Sequence, residues 1–268
     1  MTFQPFVSGS GLSSWSLLNL TLKKQKSTFK NNFIIRSDVQ YFLDRFKDLD
    51  RAEDITEDRR VLRVILGAYG LTDDIENKFF VRKILEEGVT SQSALANKLS
   101  DRRYRNLAFD FDFSMDPPRH KTRPDLARNT SEAFQNQAFE AKIGEVNPDM
   151  RLALGFAREF QKVAQSAATN STAWYQVLAT PPLRKVVQTA LGLPDTFAKL
   201  DIDDQHARII SKADSVLGTN DVNQLSSGVM TDVIIRRFLL LREVETLSST
   251  SSLQTALILL SASSAKRK

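Results

Sequence analysis

The sequence predicts an all-α protein, an orthogonal multi-helix bundle of about ten helices, and three observations support this fold class. Apolar residues recur at spacings of three and four along almost the whole chain. Strict alternation of apolar and polar residues over the length of a strand is hard to find. Residues that start helices, and glycines that stop them, flank the periodic runs.

The composition is that of a globular protein with nearly balanced charge. The chain has 268 residues, 41% of them hydrophobic and 26% charged, which is enough to bury a substantial core. Lys and Arg number 37 against 32 Asp and Glu, and three of the positive charges lie at Lys266–Lys268. The rest of the chain is therefore close to neutral, which is weak evidence for a nucleic-acid partner. The absence of cysteine excludes disulfides, thiolate nucleophiles and cysteine-ligated metal sites.

The first part of the chain predicts amphipathic helices. Trp15 and Leu18 belong to one apolar face, and lysines between Lys23 and Lys30 lie mostly around the other side. A second helix is predicted around Phe42, with Ser37 as its N-cap. Both helices are expected to face the core.

The segment VLRVILGAYGL, residues 61–71, predicts a helix with a defined stop. Thr56 or Asp54 can accept hydrogen bonds from its first amides. Gly70 then supplies a left-handed residue after the helix, and Leu71 returns to the core.

The segment LRKVVQTALGLP, residues 183–194, repeats this pattern with Gly192 and Leu193. A helix followed by Gly-Leu is a common stop signal, so the recurrence is explained equally well by chance. The other interpretation is a duplication that yields two repeat-related halves.

Three prolines interrupt the helical pattern near the middle of the chain: Pro117, Pro118 and Pro124. The serine-rich stretch Ser248–Ser252 is expected to separate the last long helix from the C-terminal apolar segment. The predicted organisation is one helical domain (1–250) of two halves (about 1–114 and 131–250) joined by a proline-rich loop (115–130), then an apolar segment with a basic tail (251–268).

Three acidic residues in DFDFSMD could offer oxygen ligands to a hard cation: Asp110, Asp112 and Asp116. The glycine and distal glutamate of an EF-hand are not in register with them. The favoured interpretation is that Phe109, Phe111 and Phe113 anchor the loop while the carboxylates face water.

The two histidines, His120 and His206, are expected to be polar surface or boundary residues. Asp203 could pair with His206, but no serine is marked by a nucleophile elbow. No phosphate-binding glycine motif is present. The sequence therefore predicts no catalytic residue, no metal ligand and no cofactor.

Basic side chains cluster at Arg102, Arg103 and Arg105. Solvated surface is the favoured interpretation of these arginines and of the Lys23–Lys30 stripe, with phosphate contact as the alternative.

The N-terminus lacks a basic region followed by an apolar region, so no signal peptide is predicted. The apolar runs are far shorter than the roughly 18 residues of a membrane span. A soluble protein made in the cytoplasm is expected.

Four segments together resemble an alphaproteobacterial family encoded among flagellar genes and catalogued as domain-of-unknown-function family 1217. They are SGLSSWSLLNLTLKKQKSTFKNN (10–32), DRRVLRVILGAYGLTDDIENKFFVRKILEEG (58–88), ALANKLSDRRY (94–104) and LRKVVQTALGLPDTFAKLDIDDQ (183–205). The resemblance implies an all-helical fold and an association with flagellar assembly or motility. It brings no catalytic residues, because the family has none assigned.

The expected function is a non-enzymatic helical protein that binds a protein partner, a flagellar component being one candidate. The location is the cytoplasm, or the flagellum after export without a signal peptide. The predicted partner-binding residues combine an apolar face with a cationic end: Leu253, Leu257, Leu260, Lys266, Arg267 and Lys268.

Two other classes of function stay open at this point. One is a nucleic-acid-binding regulator that uses the basic clusters, although nucleic acid is the less favoured partner. The other is an enzyme of unrecognised type centred on Asp110, Asp112, Asp116 and His206.

Overall fold

The chain is all-helical. A computed structural model describes the backbone of residues 3–265 and the side chains of residues 3–247. Helix accounts for 76% of the chain, and the described backbone contains no strand. Eleven of the 14 α-helices found there have seven or more residues, so the predicted fold class is confirmed.

The helices follow one another through short connections, several of which contain a turn of 3-10 helix. In chain order they are α1 (Gly11–Lys30), α2 (Phe33–Arg45), α3 (Ala52–Thr56), α4 (Arg59–Tyr69), α5 (Lys78–Glu87), α6 (Leu95–Lys98), α7 (Arg102–Asp110), α8 (Leu126–Val146), α9 (Pro148–Ser166), α10 (Asn170–Leu178), α11 (Pro181–Ala190), α12 (Ile202–Leu217), α13 (Val222–Leu225) and α14 (Gly228–Ala265).

Two large apolar clusters hold these helices together. The N-terminal core contains buried side chains from α2 to α8, such as Phe42 and Ile65. The C-terminal core contains side chains from α8 to α14, such as Trp174 and Phe238. A third, smaller cluster around Ile84 joins α5, α6 and α7.

Helix α8 belongs to both cores. Leu126 and Phe134 on its first half lie in the N-terminal core, whereas Phe139 and Ile143 on its second half lie in the C-terminal core. Phe134 packs so closely on α4 that a Cβ atom added at Gly67 would lie 2.6 Å from its ring. The helix begins inside the segment 115–130 that was expected to be a loop.

Helix α1 packs mainly on helices that are far from it in sequence. Its buried residues Trp15, Leu18 and Phe29 lie in the C-terminal core, among side chains more than one hundred positions later in the chain. The predicted apolar face of this helix is therefore buried, and it contacts α14, α8 and α2.

Two cap predictions in the first half are wrong. Helix α2 is capped by Asn32, whose side chain accepts from the amide of Ile34, and Ser37 lies inside the helix. Helix α4 is capped by Asp58, whose carboxylate accepts from the amides of Arg60 and Val61. Thr56 and Asp54 have side chains that could cap a helix, but both belong to α3 and lie up to one turn before the true cap.

The repeated stop signals have the same structure. Gly70 and Gly192 have φ angles of 70° and 68°, which confirms the left-handed conformation predicted for both. The amide of Leu71 bonds the carbonyl of Leu66 at 2.8 Å, and the amide of Leu193 bonds that of Gln188 at 2.9 Å. Each glycine amide also bonds the carbonyl three residues before it, which completes a Schellman motif in each copy.

Each copy of the stop signal ends a central helix. Almost every residue of α4 from Val61 to Ala68 is buried, as are most residues of α11 from Leu183 to Ala190. A helix with buried positions on every face must be surrounded by other helices. The two copies therefore occupy equivalent positions, one in each core.

The serine-rich stretch does not interrupt the last helix. Helix α14 runs from Gly228 to Ala265 without a break, so the separation predicted at Ser248–Ser252 is wrong. Serine and threonine are weak helix formers, but they do not stop a helix as Gly or Pro can, and neither Gly nor Pro occurs after Gly228. The side chains of residues 248–268 lie outside the described part of the structure.

We predict that Gly192→Ala lowers the free energy of unfolding by about 1 kcal/mol, measured by urea denaturation. Nothing lies within 4 Å of the added methyl group, so the cost comes from the left-handed backbone alone. Gly228→Ala is the matched control, because this glycine also has open space but a helical φ. Equal stability of Gly192→Ala and the parent protein would contradict the prediction.

Candidate functional site

The acidic loop after α7 does not present three carboxylates to solvent. Asp110 accepts a hydrogen bond from the Tyr69 hydroxyl at 2.5 Å and pairs with Arg123. Burial, together with the negative charge of Asp110, raises the pKa of Tyr69 well above its ordinary value. Asp110 is therefore a structural partner of α4.

Asp112 is fully buried, so the expectation that it faces water is wrong. Its Oδ1 accepts from the amide of Ser114 at 3.0 Å and from the hydroxyl of Ser114 at 2.6 Å. It packs against the backbone of Gly88, where a Cβ atom would come within 2.1 Å of Oδ1. Asp116 is exposed, as expected.

Of the three phenylalanines expected to anchor this loop, Phe111 is fully buried and Phe113 partly buried. Phe109 is instead 44% exposed. The guanidinium of Arg119 lies 4.2 Å from the centre of the Phe109 ring and covers part of it.

His120 is fully buried, so its expected place at the surface is wrong. Its Nε2 lies 2.9 Å from the carbonyl oxygen of Leu49, and its ring lies among the rings of Phe46, Phe111 and Phe113. We call residues 111–123 the His120 loop. Its polar, proline-rich sequence is typical of an exposed loop, and only the tertiary contact with the N-terminal core buries the histidine.

The three aspartates that were considered as candidate cation ligands do not converge. Among the residues whose side chains the structure describes, no three His, Asp or Glu side chains come together as a group that could hold a metal ion. Asp110 and Asp112 bind different groups and Asp116 is exposed, which explains this result.

His206 lies on α12 and contacts α10 instead of the acidic loop. Its ring stacks on Tyr175 with centroids 4.1 Å apart, and Tyr175 donates a hydrogen bond to Asp203 at 2.7 Å. Its Nε2 lies 3.1 Å from the Ser171 hydroxyl and 3.3 Å from the Ser171 carbonyl oxygen. A bond to the carbonyl places the proton on Nε2, and this nitrogen cannot then accept the proton of the serine.

The predicted basic cluster is engaged in local contacts. Arg103 binds Asp101 through two nitrogens and also donates to the carbonyl of Gly70. Arg105 donates to Asn97 at 3.1 Å, and burial lowers the pKa of Arg102. Arg103 and Arg105 are thus engaged by neighbouring groups.

A buried ion pair connects α8 and α9 at the edge of α1. Two hydrogen bonds of 3.1 and 2.9 Å join Arg158 to Glu140, whose side chain is 4% exposed. Burial raises the pKa of Glu140, and the charges of Arg158 and Lys26 oppose this effect. Burial also lowers the pKa of Lys26, a member of the predicted lysine stripe.

An exposed apolar face runs along α14, and we call it the α14 stripe. Within the described side chains it consists of five residues: Val229, Val233, Leu240, Val244 and Leu247. At 100° per residue they fall within about 60° of the helix circumference. The side chains that bury α14 in the C-terminal core lie on its other faces: Ile234, Ile235, Phe238 and Leu239.

The last described side chains of α14, from Val244 onward, are not covered by the cores. Arg242 donates to Asp149 at the start of α9 at 3.0 Å, and Glu243 lies against Gly11 of α1. The next four residues, 244–247, are all exposed, and four consecutive residues cover every face of a helix. The helix continues to Ala265 beyond this point.

The sequence-predicted partner residues follow this exposed turn in the chain. Leu253, Leu257 and Leu260 fall within the backbone of α14, but their side chains lie outside the described residues. Lys266, Arg267 and Lys268 lie outside the described residues altogether. The α14 stripe itself was missed by the sequence analysis, because α14 has apolar residues on several faces.

Other exposed apolar side chains occur before α1, on α1 and at the start of α2: Phe6, Leu20, Phe33 and Ile34. An open groove of about 440 Å³ beside Phe33 is lined by Arg36 and Arg60. Arg60 is held by the buried Asp38 at 2.9 Å and stacks on Tyr41 at 4.2 Å.

Fold and surface thus define a helical protein whose described polar clusters are engaged in structural contacts and whose last helix presents an apolar face. The chain belongs to the DUF1217 family of proteins of unknown function, whose sequence profile matches residues 68–228, more than half of the chain. This match confirms the resemblance predicted from the sequence.

One solved structure has the same fold. It is the crystal structure of a structural genomics target from Agrobacterium tumefaciens, and it is 25% identical in sequence. The alignment has a TM-score of 0.69 and covers 91% of this chain and 98% of the other. No functionally curated protein matches the chain. Among the described residues, no helix has both the length and the apolarity to cross a membrane.

We predict that Arg158→Met destabilises the protein by about 3 kcal/mol, because it leaves the buried Glu140 carboxylate without its main partner. The double variant Glu140→Met/Arg158→Met should recover most of this loss, since neither charge remains. Urea unfolding measures both.

Arg236→Met is the control for this prediction. Arg236 forms an exposed ion pair with Asp232 at 2.6 Å, and such pairs contribute about 1 kcal/mol or less. A similar loss in Arg158→Met and Arg236→Met would show that burial of Glu140 has no special energetic effect.

Proposed function

We propose that this protein acts without catalysis, by binding another protein through α14, in flagellar assembly or motility. The observation that carries the binding proposal is the α14 stripe, together with the exposure of every residue of the same helix from Val244 to Leu247. The flagellar setting is supported by the resemblance to a family encoded among flagellar genes.

The partner that fits the α14 stripe is an amphipathic helix of a second protein. The stripe extends for about 27 Å at 1.5 Å per residue, and it is narrow and straight like the seam of a coiled coil. A helix with apolar residues at three- and four-residue spacing can cover such a seam along its whole length.

The expected energy of this contact is moderate. Full burial of one aliphatic side chain contributes about 1.5–2 kcal/mol, and the five side chains of the stripe are already partly covered. The loss of translational and rotational freedom on association reduces the net gain further. A modest net energy of association favours a reversible, regulated complex over a permanent one.

The two alternative functions have less support from the contacts. Arg103 and Arg105 are engaged by neighbouring groups, which disfavours a nucleic-acid interface built on them. His206 contacts α10 rather than the acidic loop, which disfavours an active site that combines it with Asp110, Asp112 and Asp116.

We predict that Leu240→Glu/Leu247→Glu abolishes partner binding with little effect on the melting temperature. These side chains are 49% and 66% exposed, and exposed substitutions usually change stability by about 0.5 kcal/mol or less. The matched control is Ile202→Glu on α12, which is 44% exposed and far from the stripe in sequence. Swimming motility of cells that carry each variant is the functional measurement.

A photo-crosslinking amino acid at position 240 identifies the partner directly in cells that build flagella. The expected product is a covalent adduct with a flagellar protein, and the same amino acid at position 202 should not form it. If no flagellar protein is captured, or motility persists in the double variant, the proposed function is wrong.

We further predict that a chain ending at Thr246 keeps nearly the full melting temperature but loses partner binding. Residues 244–247 are all exposed, so the backbone beyond Thr246 continues from a turn of helix that the C-terminal core does not cover. Differential scanning fluorimetry checks the first outcome. A fall of about ten degrees, equivalent to several kcal/mol, would instead place residues 247–268 in the folded core.

A further inference from the structure

The His120 loop covers part of the N-terminal core. Two of its residues contact the short connection between α2 and α3. His120 bonds the carbonyl oxygen of Leu49, and Lys121 pairs with the neighbouring Asp50. On its other side, the amide of Phe113 donates to the carbonyl of Leu85 at 3.1 Å. The loop therefore links the end of α2 to α5 and α7.

The bond to Leu49 determines the chemistry of the His120 ring. A carbonyl oxygen can only accept, so Nε2 carries the hydrogen and Nδ1 carries the lone pair. Nδ1 is buried and has no hydrogen-bond partner among the described residues. The ring is enclosed by Phe46, Phe111 and Phe113, which cannot accept a conventional hydrogen bond from a protonated Nδ1.

We infer that the His120 loop is an acid-sensitive latch. A proton on Nδ1 of His120 would place a charged donor without a partner inside the aromatic enclosure, and opening of the loop brings this nitrogen into water. Opening also breaks the bond to Leu49 and uncovers Phe46 and Phe111. Mild acid thus creates a new apolar surface on the N-terminal core.

The surroundings of the His120 ring also disfavour its protonation. Burial is the main cause that lowers the pKa of His120, and Lys121 lowers it further. The Leu49 carbonyl and Asp50 act in the opposite direction, but Asp50 is paired with Lys121. Within the same loop, Asp112 accepts from Ser114 through Oδ1 while its Oδ2 has no hydrogen-bond partner among the described residues, and the guanidinium of Arg119 lies over the ring of Phe109.

The sign of the pH effect is set by this lowered pKa. The closed loop binds a proton less readily than the open loop, so closure is most favourable above the ordinary histidine pKa of about 6.5. Below that value, the ratio of open to closed molecules rises by up to about tenfold per pH unit until the closed form also takes up the proton.

Hydrogen exchange of the full chain tests the latch at about pH 7.5 and about pH 5.5, on either side of the ordinary histidine pKa. Protection factors, corrected for the intrinsic rate at each pH, should fall about tenfold for amides of residues 111–123. Amides of α11 in the C-terminal core should keep their protection. A simultaneous loss in α11 would mean global unfolding and would overturn the latch.

Two variants separate His120 from the other histidine. His120→Gln keeps a neutral N–H donor toward Leu49 and should remove the pH dependence of loop exchange, whereas His206→Gln should leave it unchanged. Equal pH dependence in all three proteins would overturn the inference.

Nuclear magnetic resonance of the parent protein provides a test that does not require His120→Gln to fold. The chain has two histidines, and loss of one signal in His206→Gln assigns the other. Titration of the His120 ring together with the loop amides supports the latch. Titration without any change in those amides overturns it.

Discussion

The contact between Phe134 and Gly67 is the packing constraint on which the N-terminal core depends. Because residue 67 has no side chain, the Phe134 ring lies directly on the backbone of α4, and α8 approaches this central helix closely. The same α8 continues into the C-terminal core through Phe139 and Ile143. One continuous helix thus contributes side chains to both cores.

Two buried carboxylates, Asp38 and Glu140, are paired with arginines. Asp38 lies between Arg60 and Arg63, each at 2.9 Å, and Glu140 is bonded twice by Arg158. Burial of a charge is costly unless a partner and hydrogen bonds compensate, and each of these carboxylates has both. These ion pairs join helices that are separated in sequence, so they contribute to the specificity of the helix arrangement as well as to its stability.

The sequence was sufficient to predict features that depend on the backbone conformation of a single residue. Gly70 and Gly192 are required by the left-handed turns they form, and both were identified correctly. The choice among Thr56, Asp54 and Asp58 as a cap was not predictable, because several residues of similar chemistry stand within one turn. The burial of Asp112 and His120 depends on a tertiary contact, and a polar loop sequence gives no sign of it.

The α14 stripe could not be predicted for a different reason. Residues 233–241 carry apolar side chains on both the buried and the exposed faces of the helix, so periodicity alone does not indicate which face the core covers. Only the positions of α9, α11 and α1 around α14 leave Leu240 and Leu247 uncovered. In a helix with apolar residues on several faces, the neighbouring helices in the folded bundle decide which face stays exposed.

The placement of α1 also has a consequence for the order in which the protein can assemble. Trp15 and Leu18 are made before the other members of their core, which extend along the chain as far as Leu239. Residues 33–134 contain the buried side chains of the N-terminal core, whereas the C-terminal core stays incomplete until α14 has been made. Helix α1 thus leaves the ribosome well before α8 and α14, and it can take its place in the core only after they are present.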